Sequence, residues 1–288
     1  MPTLFCFGYG YVARHLAEAL RPRGFEVRGT TRSPLKAERM AAEGVRAFLF
    51  ERGRPLADPA RALAGVTHLL HSIAPDGEGD PVLDRHRSDL ARLPGLAWVG
   101  YLSTTGVYGD RQGAWVDEDT PLEPTLARTD RRARAEAAWL ASGLGAQVFR
   151  LAGIYGPGRN ALVNLRDGTA RRIVKPDQVF SRIHVADIVA VLLASMQRPA
   201  PGRVYNVCDD EPAPPQDVVA FAAELLGVPP PPEEPFETAN LSAMARTFYQ
   251  DNRRVRNERI KRELGVRLAY PTYREGLRAL HEAEADRR

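Results

Sequence analysis

The 288-residue chain predicts an α/β fold built on a doubly wound parallel sheet. Three observations predict it. Strand-like and helix-like runs alternate through the first two thirds of the chain, the pattern of βαβ units. The strand-like runs are mostly apolar rather than alternating, as strands covered on both faces should be. The first of them, residues 3–7, passes directly into a glycine turn and then an apolar-periodic helix.

Taken in order, the strand-like runs are residues 4–7, 27–30, 47–50, 68–73, 98–103, 147–151 and 204–207. Helical periodicity falls between them, at residues 12–20, 34–42, 58–63, 82–93, 130–140 and 185–196. The last third changes character. Proline-rich stretches at 211–215 and 228–235 flank a helix over 216–226, and charged helical segments follow over 251–264 and 273–287. This predicts a small C-terminal lobe. The boundaries expected are a nucleotide-binding domain over 1–156 plus about 184–207, and a discontinuous lobe over 157–183 and 208–288 that closes over the ligand cleft.

The turn reads Gly8-Tyr9-Gly10-Tyr11-Val12-Ala13. Gly8 permits a sharp turn, Gly10 leaves bare backbone for a pyrophosphate, and Ala13 is small enough for the helix to pack on the strand. The amides at the helix start, around Tyr11 and Val12, then face the phosphates. The end of the second strand names the dinucleotide. An NAD site places a carboxylate there for the ribose 2′-hydroxyl; this chain has Thr30, Thr31, Arg32 and Ser33. Arg32 can hold a 2′-phosphate through charged hydrogen bonds, so NADP(H) is expected rather than NAD(H). Ser72, Ile73 and Ala74, after the fourth strand, are expected to face the cofactor.

Bulk properties narrow the rest. The net charge of +4 is mild and its bases are interspersed with acids, so no nucleic-acid partner is expected. Cys6 and Cys208 lie in apolar runs and read as small buried hydrophobes. His68 and His71 fall on opposite faces of a strand, and no cluster has metal-ligand spacing; no metal is expected. With no apolar run of membrane-spanning length and no leader, a cytoplasmic setting without membrane attachment is the expectation.

Four later segments, with the turn, resemble the extended short-chain dehydrogenase/reductases in the order that family has them. They are Leu102-Ser-Thr-Thr-Gly-Val-Tyr-Gly109, Arg150-Leu-Ala-Gly-Ile-Tyr-Gly-Pro-Gly-Arg-Asn160, Arg182-Ile-His-Val-Ala-Asp187 and Tyr205-Asn-Val-Cys-Asp-Asp210. The short turn and small lobe are most similar to an atypical branch, the NAD(P)-dependent epimerase/dehydratase-like proteins. The resemblance implies a Rossmann-type fold and gives Thr104 the role of orienting the substrate. It also implies a catalytic tyrosine, with a lysine four residues on, about 25 residues after that threonine. Residues 124–136 contain neither. With Glu136 as anchor, Arg132 stands in the lysine place and Arg128 in the tyrosine place. Arg132 can hold the nicotinamide ribose but stays charged. The aspartate–glutamate pair of dehydratases is replaced by Thr105 and Gly106, and the segment between Gly156 and Arg182 is short, which implies a smaller substrate or none.

Several residues carry two readings. Tyr108 is a substitute acid or a structural aromatic. Tyr155 lines the nicotinamide pocket or packs. His184 and Asp187 support the following helix rather than react, and the acidic run 117–119 is a solvated loop. Arg182 binds an anion or makes a surface ion pair. The chain is thus expected to be an NADP-dependent oxidoreductase or epimerase acting on a small hydroxyl, carbonyl or sugar-like compound. The alternative is a non-catalytic NADP(H)-binding regulatory or redox-sensing protein. By resemblance, a homodimer would use the helices over 82–93 and 130–140.

Overall fold

Strand β1 (Thr3–Phe7) is buried at every position and leads through the glycine turn into α1 (Tyr11–Leu20). The buried face of α1 is Val12, Ala13, Leu16, Ala17 and Leu20, one stripe at the helical period. The computed structural model describes residues 1–285. The chain continues as β2 (Glu26–Thr31), α2 (Pro34–Ala42), β3 (Arg46–Leu49), α3 (Pro59–Leu63), β4 (His68–His71), α4 (Pro81–Ala91) and β5 (Trp98–Thr104). A 3-10 turn, Thr105–Tyr108, precedes β6 (Trp115–Val116), α5 (Ala127–Leu140), β7 (Ala146–Leu151) and β8 (Gly153–Tyr155). Then come α6 (Ala161–Arg166), β9 (Arg172–Val174), β10 (Arg182–His184), α7 (Val185–Gln197) and β11 (Val204–Val207). The remainder holds α8 (Pro215–Leu226), β12 (Glu233–Pro235), α9 (Ala243–Phe248), β13 (Arg254–Val255), α10 (Glu258–Leu264) and α11 (Tyr273–Ala285). The expected last helix ran to 287; its final two residues lie outside those described.

Seven strands form the central sheet in the order β11-β7-β5-β4-β1-β2-β3. β1 pairs in parallel with both β2 and β4, β2 with β3, and β4 with β5. The chain steps outward from β1 to β3, then crosses back to β4. Strand order therefore reverses between β1 and β4, the position where open α/β sheets bind ligands. This is the doubly wound, Rossmann-type arrangement expected.

The chain divides into two compact units. Unit 1 comprises Met1–Thr104, Ala127–Arg150 and Val191–Tyr205; unit 2 comprises Thr105–Leu126, Leu151–Ala190 and the chain from Asn206 onward. This division differs from the expected boundaries: residues 105–126 belong with the C-terminal part, and so does the first half of α7.

The core of unit 1 gathers Phe5, Phe7, Leu69 and Tyr101 from one face of the sheet, with Phe50 and Trp139 packed in the same cluster. Full burial of each such side chain contributes about 1.5–3 kcal/mol. One polar strut crosses this core. His71 Nε2 lies 2.7 Å from Asp80 Oδ2, which also accepts from Trp139 Nε1 at 3.0 Å. Asp80 Oδ1 caps α4 through the amides of Val82 and Leu83. Burial alone would raise the Asp80 carboxyl, but the charge and hydrogen bond of His71, with the Trp139 and Leu83 bonds, draw it down to about 2.

Unit 2 contains three short parallel pairs, β8–β10, β9–β12 and β6–β13. Its apolar centre includes Tyr155, Leu162, Phe221, Tyr273 and Leu277. Two expectations are corrected here. The segment 251–264 is not one helix: its first part is β13, whose flanks spend their amides on the far strand, Arg254 on Ala114 O and Arg256 on Val116 O. The acidic run 117–119 is not wholly solvated. The Glu118 side chain is buried, accepts from the Asn206 amide at 2.8 Å and lies 3.6 Å from Arg259 Nε; burial pushes its carboxyl up.

Candidate cofactor and reaction site

The glycine turn sits where the strand order reverses, and both neighbouring strands hold it. Gly8 N donates to Thr30 Oγ1 at 2.8 Å, and Ser72 Oγ donates to Gly8 O at 2.7 Å. Gly8 has φ +86°, and a Cβ there would lie 2.7 Å from Ser72 Oγ and 3.0 Å from Ile73 Cγ1. Only glycine fits. Gly10 is different: it caps α1 with no side-chain hydrogen bond, and a Cβ on it would meet nothing within 4 Å. The first-turn amides of α1 at Tyr11, Val12 and Ala13 thus begin below open space, as an anion at a helix N-terminus requires. Ala13 is buried against the sheet. These residues fit a pyrophosphate.

At the end of β2, Thr31 Oγ1 accepts from the Ser33 amide at 3.2 Å, and Ser33 Oγ caps α2 through the Lys36 amide at 3.3 Å. Arg32 is exposed. Its carbonyl accepts from Arg54 Nη2 at 2.8 Å, while its guanidinium has no partner among the described residues. Lys36 Nζ reaches back to donate to Tyr9 O at 2.5 Å. Lys36 and Arg54 therefore belong to this corner, and the sequence reading missed both. Lys36 had a signal, as the cation in the first turn of α2. Arg54 had none, because a loop delivers it.

At the far end of the same sheet edge, α5 supplies Arg132. Its Nη1 donates to Tyr101 Oη at 3.0 Å, Leu102 O at 3.2 Å and Ile73 O at 3.4 Å. Its guanidinium carbon lies 5.6 Å from the centre of the Tyr101 ring. Nε and Nη2 are unpartnered among the described residues. One helical turn on, Glu136 is buried. It accepts from Ser103 Oγ and pairs with Arg150, Nε at 3.1 Å and Nη2 at 2.9 Å. Successive strand residues face opposite ways, so Ser103 serves this buried pair while the half-buried Thr104 ends β5 on the other face. Ala74 is exposed beyond Ser72 and Ile73. Unit 1 thus contains Gly8, Gly10, Tyr11, Val12, Ala13, Thr31, Arg32, Ser33, Ser72, Ile73, Ala74, Thr104 and Arg132, and hydrogen bonds join Gly8 to Ser72 and Arg132 to Ile73.

Tyr108 and Tyr155 belong to unit 2. Tyr108 is fully buried, and its hydroxyl donates to Asn206 Oδ1 at 2.7 Å. This corrects the substitute-acid reading, because a phenol enclosed and bonded in this way has no proton to present. Tyr155 carries the packing role. Its hydroxyl donates to Thr272 O at 3.4 Å, its ring meets His184 edge-on at 5.1 Å, and burial pushes its phenol up. Asp187 does not cap its own helix; it accepts from the Ala269 and Tyr270 amides and holds the approach to α11. His184 Nδ1 does accept from the Ala186 amide at the helix start. Arg182 makes no ion pair among the described residues; its Nη1 donates to Phe180 O at 2.8 Å and Ala213 O at 3.0 Å. Among the described residues, no group of three His, Cys, Asp or Glu side chains could hold a metal ion, and no helix is long and apolar enough to cross a membrane.

No family model matches the chain. It is 30% identical to Protein YeeZ of Escherichia coli K12, over 94% of this chain and 97% of that protein. A Streptomyces protein named 3-diazoavenalumate denitrifying reductase is 29% identical, over 96% of this chain and 99% of that one. Among solved structures, a functionally unknown conserved protein from Silicibacter pomeroyi is similar with a TM-score of 0.90 at 56% identity, covering 99% of this chain and all of that one (100%). A Methylobacillus flagellatus protein, provisionally described as an NAD-dependent epimerase/dehydratase, has a TM-score of 0.72 at 28% identity, covering 99% of this chain and 98% of its own.

Proposed function

Because the chain belongs to the YeeZ-like, atypical branch of the NAD(P)-dependent epimerase/dehydratase-like short-chain dehydrogenase/reductases, we propose that it is an NADP(H)-dependent oxidoreductase acting on a small carbonyl or hydroxyl compound. One observation carries the reading: the held glycine turn lies beside an unpartnered Arg32, with no carboxylate in the Thr30–Ser33 segment.

The bound dinucleotide supplies hydride transfer; the chain supplies the rest. The amides at the start of α1 hold the pyrophosphate over Gly10, and Arg32 with Ser33 takes the 2′-phosphate. The Nε–Nη2 edge of Arg132 holds ribose hydroxyls, and three acceptors on Nη1 fix that edge in place. Thr104 orients the reacting oxygen. Arg132 remains charged and Tyr108 is enclosed, so a water held at Thr104 delivers the proton. A positioned general acid contributes roughly a hundred- to ten-thousandfold. Its replacement by water predicts slow turnover. The reductase name of the Streptomyces relative favours reduction over epimerisation.

A second reading, binding without turnover, has one observation in its favour: residues 124–136 hold no tyrosine and no lysine. NADPH oxidation across aldehydes, ketones and keto-sugars separates the two. The enzyme reading expects slow oxidation with at least one substrate, reduced about tenfold or more by Thr104→Ala through loss of an orienting hydrogen bond. NADPH binding without turnover on any of them overturns it.

A further inference from the structure

Unit 2 contains a cavity of about 320 Å³ that the redox reading leaves unused. That size is at the lower end of small-molecule pockets, below what a sugar nucleotide fills. Its polar lining includes Arg159, Asn160, Asn164, Arg182 and Tyr273; its apolar lining includes Ile154, Val218, Val219 and Leu277. Two cations line it and no acid does. Asp217 and Glu275, in the first turns of α8 and α11, lie outside the lining, and Glu275 is occupied by the amide and hydroxyl of Thr272.

Arg182 is built for one kind of ligand. Two backbone carbonyls, Phe180 O and Ala213 O, fix its Nη1. Its Nε–Nη2 edge has no partner among the described residues, and that edge matches a carboxylate with two parallel hydrogen bonds. The buried acid whose charge reaches Arg182 is Asp209; burial pushes its carboxyl up and the Arg182 guanidinium down, and the two make no ion pair or side-chain hydrogen bond with each other. Tyr273, only 1% exposed, has a hydroxyl with no partner. A buried donor left without a partner is costly, and a ligand oxygen would satisfy it.

We propose that this cavity binds a small organic carboxylate with an apolar body, the carboxylate on the free edge of Arg182 and the Tyr273 hydroxyl. The proposal stands on unit 2 alone and survives failure of the redox reading. The test is titration of the full chain with benzoate and with benzamide, its uncharged counterpart, followed by NMR or calorimetry. Benzoate should bind in the millimolar range or tighter. Benzamide should bind about tenfold more weakly, the expected loss of a charged hydrogen-bond pair. Arg182→Gln should remove the difference and Tyr273→Phe should reduce it. Val219→Trp fills the cavity without touching a polar group and should abolish binding; it decides the matter if Arg182→Gln does not fold. No benzoate binding, equal binding of the two probes, or binding that survives Val219→Trp overturns the proposal.

Discussion

The glycine turn and the α5 segment are both parts of unit 1, yet they have kept different things. At the turn, hydrogen bonds fix the backbone: Thr30 and Ser72 grip Gly8 from either side, and a Cβ on Gly10 would meet nothing within 4 Å. At α5, the hydrogen bonds serve packing. Glu136 still ties the helix to β5 and β7 through Ser103 and Arg150, but the residue one turn earlier is an arginine bound to Tyr101. On the proposed function, the difference teaches that cofactor capture and proton transfer are separable in this fold: the turn serves the first, and the second passes to a group outside α5.

The strongest break of this comparison is Glu136→Ala. It takes the Glu136 carboxylate away from the buried Arg150 guanidinium, and removal of one member of a buried pair costs about 3–5 kcal/mol. Urea unfolding should show that loss; a change under 1 kcal/mol would mean α5 is not anchored there. Gly8→Ala acts on the other region. A non-glycine residue at φ +86° is strained, and its Cβ would collide with Ser72 Oγ. A stability loss of about 3 kcal/mol is expected, with NADPH affinity falling alongside it. Retained affinity would separate turn geometry from binding. The smallest effect is acid sensitivity. The Asp80 carboxyl has its ordinary value of 3.8 when unfolded and about 2 when folded. Its stabilisation, about 2 kcal/mol by linkage, is full above pH 4 and lost as pH falls through 2. Unfolding measured from pH 5 to 2 should show this slope, and Asp80→Asn should flatten it.

The alternation of strands and helices was legible because parallel strands buried on both faces are largely apolar, which makes β1 and β5 stand out. β8, β9 and β10 are three residues each, too short for any period to register. β13 reads as helical because Arg253, Arg254 and Arg256 are polar; its strand state comes from Ala114 and Val116, far away in sequence. In the site, Gly8 was legible because its requirement is local. The fate of Tyr108 was not, since the oxygen that accepts its proton belongs to Asn206, 98 residues on.

The central claim is that Arg32, in place of a carboxylate, selects the phosphorylated dinucleotide. Calorimetric titration with NADPH and with NADH, on the parent chain and on Arg32→Ala, tests it most directly. The account predicts that NADPH binds about 10- to 100-fold more tightly than NADH, the effect of one or two charge-assisted hydrogen bonds, and that Arg32→Ala removes the preference while leaving NADH binding unchanged. Equal affinities in the parent chain, or a preference that survives the substitution, would contradict it.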